Sequence, residues 1–212
     1  GDNMDKKIED LLLAFRKNFI SRYISDIKSK EKKNNKMIKE NKFDDIIDAI
    51  SKKYNIDFHL IKAMVCVESS FNDNAYRHEP EFYNRYILGK KDWIGDPNYS
   101  DSKKISASYG PMQIMYTTAK LEGWDGVVPA NLHNPEINID LGAKHLKRKI
   151  TKYGLELGIL AYNSGSPSKS NGDPRLEHNY VYLKKVAKFY KQFGGKNSII
   201  SAHAEKAVRL SH

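Results

Sequence analysis

The sequence predicts a mainly α-helical protein, and three observations lead to this class. Apolar residues recur at steps of three or four through most of the chain, which is the period of an α-helix. No segment shows a sustained alternation of apolar and polar residues, and no internal repeat is present. With 212 residues, the chain is long enough for one well-buried domain and an appendage but too short for two full-sized domains.

The expected helices follow one another with few interruptions. Those with the helical period cover residues 8–27, 43–54, 57–69, 112–122, 138–153, 155–162 and 177–193. Residues 29–42 are rich in Lys, Asn and Glu and form either an exposed continuation of the first helix or a linker. Residues 76–106 are rich in turn formers and are predicted to be irregular, and residues 163–174 are predicted to be a loop.

Composition shifts divide the chain into three parts. We expect an N-terminal helical extension over residues 1–42, a main domain over residues 43–195 and a C-terminal tail over residues 196–212. The main domain ends at Gly194-Gly195, since glycine commonly terminates a helix. The first helix is amphipathic, so it either packs on the main domain, pairs with a partner or lies on a membrane surface.

The formal net charge of +10 favours polyanionic partners, namely nucleic acid, anionic lipid or an acidic polymer. Lysine runs are also typical of solvated helix faces. No nucleic-acid-binding motif accompanies the lysines, so we expect no nucleic-acid partner. No apolar run approaches the roughly 20 residues that span a bilayer, and the run Leu11–Leu13 is too short for the apolar core of a signal peptide.

Cysteine and histidine usage argues against several kinds of site. Cys66 is the only cysteine, so an internal disulfide and a multi-thiolate zinc site are excluded. The seven histidines show no HExxH pattern and no i, i+4 pair. We therefore expect no metal and no cofactor. No histidine is spaced to activate Cys66 along its helix, and the thiol is interpreted as a small apolar side chain.

One face of the helix at 57–69 carries a carboxyl group among apolar side chains. The members of this face stand at positions i, i+3, i+4 and i+7, and they are Ile61, Met64, Val65 and Glu68. Burial and the negative end of the helix dipole both oppose ionisation of Glu68. A carboxyl group that keeps its proton near neutral pH can act as a general acid. On this helix alone, a glutamate paired with a Lys or Arg at the rim of the core explains the pattern equally well.

Three short strings follow in order along the chain. They are ESSFN at 68–72, SYGPMQIM at 108–115 and AYNSG at 161–165. Together they resemble the lytic transglycosylases of the soluble-lytic-transglycosylase (SLT) type, which are relatives of goose-type lysozyme. The resemblance covers roughly residues 43–193.

The resemblance implies a lysozyme-like helical domain with a cleft for peptidoglycan glycan strands. Glu68 matches the single catalytic glutamate of the family. It would protonate the glycosidic oxygen between MurNAc and GlcNAc and then act as a base on the C6 hydroxyl, giving a 1,6-anhydro product. An intramolecular hydroxyl makes a second carboxylate unnecessary, unlike the two-carboxylate scheme of most glycosidases.

The resemblance also assigns residues to the substrate-binding cleft. They are Ser69, Met112, Gln113, Met115, Tyr162, Asn163 and, in the segment 177–181, Tyr180, whose counterpart approaches the catalytic glutamate. From the residues alone, the tyrosines are equally explained by helix packing with a hydrated hydroxyl, and the methionines by core packing.

The chain departs from compact relatives in the separation of Glu68 from Gln113, which the segment 76–106 lengthens. Residues 77–86 resemble an inserted segment of some bacterial and phage-encoded relatives. We expect this segment to wall one side of the cleft, with its aromatics either stacking on sugar rings or filling a small satellite core. If Glu79 or Glu81 reaches the cleft, a second carboxylate would position a water and give a hydrolysing muramidase.

These observations give an expected setting and its alternatives. The resemblance implies a cell-envelope location, periplasmic or extracellular, and a partner in the envelope, a secretion apparatus or a phage particle reached through the N-terminal helix. A module that binds the wall without turnover is the principal non-enzymatic alternative. A basic DNA-binding protein would show steep salt dependence of binding.

Overall fold

The computed structural model describes residues 13–14, 17, 20–22, 24–29, 32, 40–164 and 177–200, with side chains of the last stretch from residue 181 onward. The chain divides into two compact units, Gly1–Asn41 and Lys42–His212. In the first unit, the described residues between Leu13 and Lys32 are helical, which agrees with the N-terminal helix predicted over 8–27. Residues 165–174 of the predicted loop and 201–212 of the predicted tail lie outside the described residues.

Two helices begin the second unit, α1 over Asp44–Tyr54 and α2 over Phe58–Ser69. The predicted N-cap of α2 is confirmed, since the Asp57 carboxylate accepts a hydrogen bond from the His59 amide at 2.8 Å. The two helices are tied by the buried Lys62, whose ammonium lies 2.9 Å from Asp44. Core packing and this ion pair therefore set the direction in which α2 runs.

A small antiparallel sheet follows, which the sequence did not predict. Its strands are β1 over Tyr76–His78, β2 over Ala107–Tyr109 and β3 over Ile114–Met115, in the order β1-β2-β3. Strands of two or three residues are too short to show period-2 alternation, which is why the pattern missed them. The sheet brings the two ends of the segment 76–106 next to each other, because β1 pairs with β2.

The segment between β1 and β2 was expected to be irregular, and this expectation is wrong in part. It contains four short helical turns, at Pro80–Phe82, Tyr83–Ile87 (a π-helix), Lys91–Ile94 and Ser102–Ile105. Ile87 and Ile105 are fully buried and anchor the segment in a core cluster with β2 and β3. Tyr83 and Tyr99 pack against the same cluster, as the satellite-core alternative proposed.

The helix expected from Met112 begins later. Residues 110–113 form a turn, β3 follows, and α3 covers only Tyr116–Leu121. The Met112 amide donates to the Asn138 side chain at 2.7 Å instead of entering a helical ladder, so the helix cannot start there. A 3-10 turn at Pro129–His133 leads to the next helix.

The last three helices are α4 over Pro135–Tyr153, α5 over Leu155–Ser164 and α6 over Glu177–Gln192. Helix α4 starts three residues before its predicted start because the Asn134 side chain caps it. Helices α4 and α5 approach closely, since a Cβ at Gly158 would lie 2.6 Å from the Ile150 Cα. The mainly α class is confirmed. Within the described residues, no helix is both long and apolar enough to cross a bilayer.

Candidate active site

Glu68 lies in the last turn of α2, at the floor of a cleft of about 680 Å³. The three apolar residues on its helix face, Ile61, Met64 and Val65, are fully buried. The helix ends directly after this glutamate, since Ser70 adopts the left-handed conformation at φ 51°. The carboxyl group is therefore held by the core beneath it and faces the cleft only at its tip.

The surroundings of Glu68 favour its protonated form. Burial raises the pKa of this carboxyl group above its usual value, while a hydrogen bond from Tyr182 and the positive charge of Arg77 act against that rise. The Tyr182 hydroxyl donates to the Glu68 Oε1 at 2.8 Å. Burial, one of the two predicted causes of proton retention, is thus the largest influence on the pKa of this group.

The second wall of the cleft is the turn at residues 110–113. Gly110 and Gln113 both have positive φ, 73° and 49°, and the Gln113 side chain donates back to the Gly110 carbonyl at 3.1 Å. The turn is held from both sides at Met112: its amide donates to Asn138 at 2.7 Å, and its carbonyl accepts from the Tyr162 hydroxyl at 2.6 Å. Gln113 and Met115 line the cleft.

Met112 was assigned to substrate binding, and the structure corrects this assignment. Its side chain is fully buried and packs on Gly142, where an added Cβ would meet the Met112 sulfur at 2.5 Å. The main chain of Met112 contributes to the cleft indirectly, because its two hydrogen bonds, to Asn138 and from Tyr162, hold the 110–113 turn in place. Ser69 is likewise turned to its own helix, since its hydroxyl donates to the Val65 carbonyl at 3.1 Å.

The third wall comes from the end of α5. Tyr162 and Asn163 both line the cleft. Burial, together with the charge of Glu68, raises the pKa of the Tyr162 phenol well above its usual value. Tyr162 is therefore a neutral hydrogen-bond donor at any physiological pH, and its bond to the Met112 carbonyl connects α5 to the turn.

The inserted segment supplies an aromatic wall. Phe82, Tyr86 and Trp93 line the cleft, and the rings of the first two lie with centroids 4.9 Å apart. Aromatic faces of this kind can stack on sugar rings. Phe82 and Trp93 also pack against the core cluster, so the segment lines the cleft and contributes to the core, and stacking on sugar rings stays a prediction.

The two candidate second carboxylates differ in position. Glu79 lines the cleft and pairs with Arg77 at 2.5 Å. Its main chain is fixed by Ser106, whose carbonyl accepts from the Glu79 amide at 2.8 Å and whose hydroxyl donates to the Glu79 carbonyl. Glu81 is exposed and is not part of the cleft lining. In the described part of the chain, no cluster of three or more His, Cys, Asp or Glu residues is placed to hold a metal ion.

Comparison with known protein families shows which family the chain belongs to. The transglycosylase SLT domain family matches residues 45–174, which is more than half of the chain. The chain belongs to this family. The SLT domain contains Glu68, the 110–113 turn and the Tyr162-Asn163 wall within the matched region.

Two similar proteins support these conclusions, one for the family and one for the fold. The membrane-bound lytic murein transglycosylase E of Buchnera aphidicola subsp. Baizongia pistaciae is 30% identical over 151 residues, which cover 67% of this chain and 58% of that protein. The chain thus spans somewhat over half the length of the curated relative that it matches. The X-ray structure of an inactive mutant of the lytic transglycosylase Slt from Pseudomonas aeruginosa superposes with a TM-score of 0.50 at 18% identity, covering 74% of this chain and 25% of that one. This similarity confirms the lysozyme-like fold.

Sequence reasoning missed the tyrosine that contacts Glu68. It assigned this position to Tyr180, whose side chain lies outside the described residues, whereas Tyr182 makes the hydrogen bond. The assignment of Tyr180 therefore stays a prediction. Asn138, which holds the 110–113 turn, was also missed, because an asparagine early in a helix carries no local signal of a distant partner.

Replacing Tyr182 with Phe should move the pH dependence of the SLT domain. The hydroxyl favours the ionised form of Glu68, so its loss raises the pKa of the carboxyl group further. If the protonated form is the active one, activity falls as pH rises through this pKa, and the alkaline limb of the rate profile shifts to higher pH in the variant. A Tyr190→Phe variant, which alters a tyrosine bonded to Asp57, should leave this limb in place.

Proposed function

We propose that the SLT domain is a lytic transglycosylase that cleaves murein, with Glu68 as its general acid and base. The observation that carries the proposal is a partly buried carboxyl group with a raised pKa at the floor of the cleft. The membership of the chain in the SLT family and its similarity to a lytic murein transglycosylase support the same activity.

In the proposed reaction, Glu68 first donates its proton to the glycosidic oxygen between MurNAc and GlcNAc. The bond from the MurNAc C1 to that oxygen breaks with the electron pair going to the leaving oxygen, and positive charge develops at C1 and the ring oxygen. The ionised Glu68 then removes the proton from the C6 hydroxyl of the same MurNAc as this oxygen bonds to C1. The product is a 1,6-anhydro sugar, and Glu68 is protonated again.

Tyr182 and Arg77 support this cycle because both favour the ionised state that exists between the two steps. Burial favours the protonated state of Glu68, in which the cycle begins. Opposing influences of this kind bring the pKa of a carboxyl group towards the range in which it can both give and take a proton. The intramolecular C6 hydroxyl gains from proximity, so no water has to be activated.

The remaining walls are proposed to bind the sugar chain. Gln113 and Asn163 offer amide donors and acceptors suited to N-acetyl groups and hydroxyls. Met115 offers an apolar surface, and Phe82 and Trp93 offer aromatic faces to sugar rings. In this proposal Met112 and Ser69 act through the backbone and the helix rather than by touching the substrate.

A second candidate function is hydrolysis of the same bond, with Glu79 as the residue that positions a water. It is favoured by one observation, namely that Glu79 lines the cleft that contains Glu68. Glu79 also forms an ion pair with Arg77 beside the cleft. Glu81 lacks this position, so only Glu79 remains as the candidate for this function.

The masses of the products separate these candidates. Digestion of purified murein should release muropeptides that end in 1,6-anhydro-MurNAc, which are lighter by one water than hydrolysis products. Reducing-end MurNAc would instead establish the hydrolase. If no soluble product forms while the protein still sediments with murein, the SLT domain is a binding module and neither enzymatic proposal stands.

Murein as substrate implies that the protein acts in the cell envelope. The net charge of +10 suits the acidic polymers of a bacterial wall and can hold the enzyme near its substrate. The N-terminal helix, whose Leu13, Ile20, Ile24 and Ile27 are exposed, is proposed as the element that reaches an envelope, secretion-apparatus or phage partner.

A further inference from the structure

One side of the cleft carries three basic side chains from a single face of α4. His145, Arg148 and Lys149 stand at positions i, i+3 and i+4, and all three line the cleft. In the sequence they belong to a lysine-rich run that is typical of a solvated helix face. Their position in the cleft makes them candidates for binding a ligand, which the lysine-rich sequence does not by itself indicate.

A buried carboxylate fixes the first two of these side chains. Glu122, whose side chain is only 2% exposed, has its Oε1 2.9 Å from the His145 Nδ1 and its Oε2 3.0 Å from the Arg148 Nη2. Its main-chain carbonyl accepts from the Lys144 ammonium at 2.6 Å. Arg148 nevertheless stays 59% exposed, so its guanidinium, held at one end by the ion pair with Glu122, is presented to the cleft.

Two basic side chains of this face, Arg148 and Lys149, line the cleft, and Arg148 forms an ion pair with Glu122. Burial lowers the pKa of His145, which keeps its ring mostly neutral at neutral pH. Burial also lowers the pKa of Lys149, and an ammonium that has lost hydration gains more than an exposed one from a bound anion.

The basic face lies close to the proposed reaction centre. The His145 ring is 5.5 Å from the Tyr162 ring, centroid to centroid. Tyr162 in turn is near enough to Glu68 for the charge of that carboxylate to affect its phenol. Glu68, Arg148 and Lys149 thus line the same cleft, with Tyr162 and His145 between the carboxyl group and the basic face.

We propose that Arg148 and Lys149 form a subsite for carboxylate groups carried by the glycan strand. The inference rests on the proposed function. The sugar rings of murein are neutral. The carboxylates of a strand lie on its peptide stems and on the lactyl groups of any MurNAc residues that carry no stem, since a stem occupies the lactyl carboxyl group as an amide. Arg148 would bind such a carboxylate with N–H donors in a fixed plane, and Lys149 would add a second positive charge. The subsite thus distinguishes MurNAc, with its acidic substituent, from GlcNAc.

The test measures binding of soluble glycan strands in a Glu68→Gln background, where the strands are not cut. Lys149→Gln should weaken binding to intact strands roughly fivefold. Lys184→Gln removes the same charge from an exposed position on α6 and should change binding by less than about twofold. A double variant, Glu122→Gln with Arg148→Gln, removes the buried pair together and should also weaken binding. Equal losses in the Lys149 and Lys184 variants would show bulk electrostatic attraction and overturn the proposal.

Two chemically altered substrates identify the carboxylate. An amidase removes the peptide stems and leaves each lactyl group with a newly freed carboxylate. On such strands, a lost effect of Lys149→Gln assigns the subsite to the carboxylates of the stem, and a persistent effect shows that the subsite also accepts the lactyl carboxylate. On strands whose carboxylates have all been converted to amides, the effect must vanish, and its persistence would contradict the proposal. Product release by the otherwise wild-type protein is measured separately, so a failure of the proposed catalytic function is distinguishable from a failure of the subsite.

Discussion

Replacing Glu68 with Gln is expected to lower the rate of murein cleavage by about a thousandfold or more, which is in the range for loss of a general acid and base. The amide keeps the shape of the side chain and can still pair with the Tyr182 hydroxyl. It can neither donate the proton to the leaving oxygen nor accept one from the C6 hydroxyl. Initial rates of soluble product release from purified murein give the measurement.

The same substitution should stabilise the fold at neutral pH. The folded pKa of Glu68 is raised above the usual 4.5, so the folded protein favours the protonated form. The stability that this form contributes is present below the unfolded pKa and is lost as pH rises through the folded pKa. Gln does not ionise, so the variant should match the original protein at low pH and exceed its melting temperature at neutral pH.

Glu81→Gln is the matched control, since it changes an exposed carboxyl group outside the cleft lining. It should retain activity and show no gain in melting temperature at neutral pH. Substantial turnover by the Glu68→Gln protein would overturn the assignment of Glu68 as acid. A melting temperature that is lower than that of the original protein at neutral pH would contradict the dry environment inferred for this group.

Replacing Gly110 with Ala is expected to destabilise the protein by about 3 kcal/mol or more. The left-handed conformation at φ 73° costs a residue with a Cβ about 1 kcal/mol. The added Cβ would also lie 2.5 Å from the Asn138 Nδ2 and 2.8 Å from the Leu132 carbonyl, and such overpacking costs about 1–3 kcal/mol more. Displacement of Asn138 weakens its buried hydrogen bonds to the turn and the strand before it.

Gly89→Ala offers a control with the same backbone conformation. Gly89 has φ 72°, and a Cβ there would meet nothing within 4 Å. Urea unfolding should therefore give a loss of only about 1 kcal/mol for this variant, at an unchanged slope. Gly110→Ala should also reduce activity, because Gln113 and Met115 move with the turn. Equal stability of the two variants would mean that the contact with Asn138 does not constrain the turn.

The sequence predicted that burial would raise the pKa of Glu68, and the structure agrees, because the position of this residue on its helix is a local signal. A carboxyl group at i+7 on an apolar helix face is visible within eight residues, and the structure places the other three members of that face in the core. Helix spacing also predicted the helices α1, α2, α5 and α6. At the ends that the structure describes, the predicted and observed boundaries agree to within about two residues, which is the usual accuracy for helix boundaries. The motif strings marked the walls of the cleft, since all three strings contribute residues to its lining.

The sheet and the turn could not be predicted in the same way. Strands β2 and β3 are too short to show a readable alternation of apolar and polar residues. The turn between them is held by Asn138, which is 26 residues from Met112 in the chain. The aromatic segment after β1 looked irregular because its helical turns are each only three to five residues long. Their stability comes from Ile87 and Ile105 in the core cluster rather than from local propensity.

The sequence by itself determined the mainly α class, the family and a carboxyl group with reason to keep its proton, because helical period and short ordered motifs are local properties of a chain. Only the tertiary structure decided which groups surround that carboxyl. Tyr182 lies 114 residues away in the chain, and the buried Glu122 is 26 residues from the Arg148 that it orients. Contacts at such separations depend on how the helices pack, and packing is decided by the whole core at once.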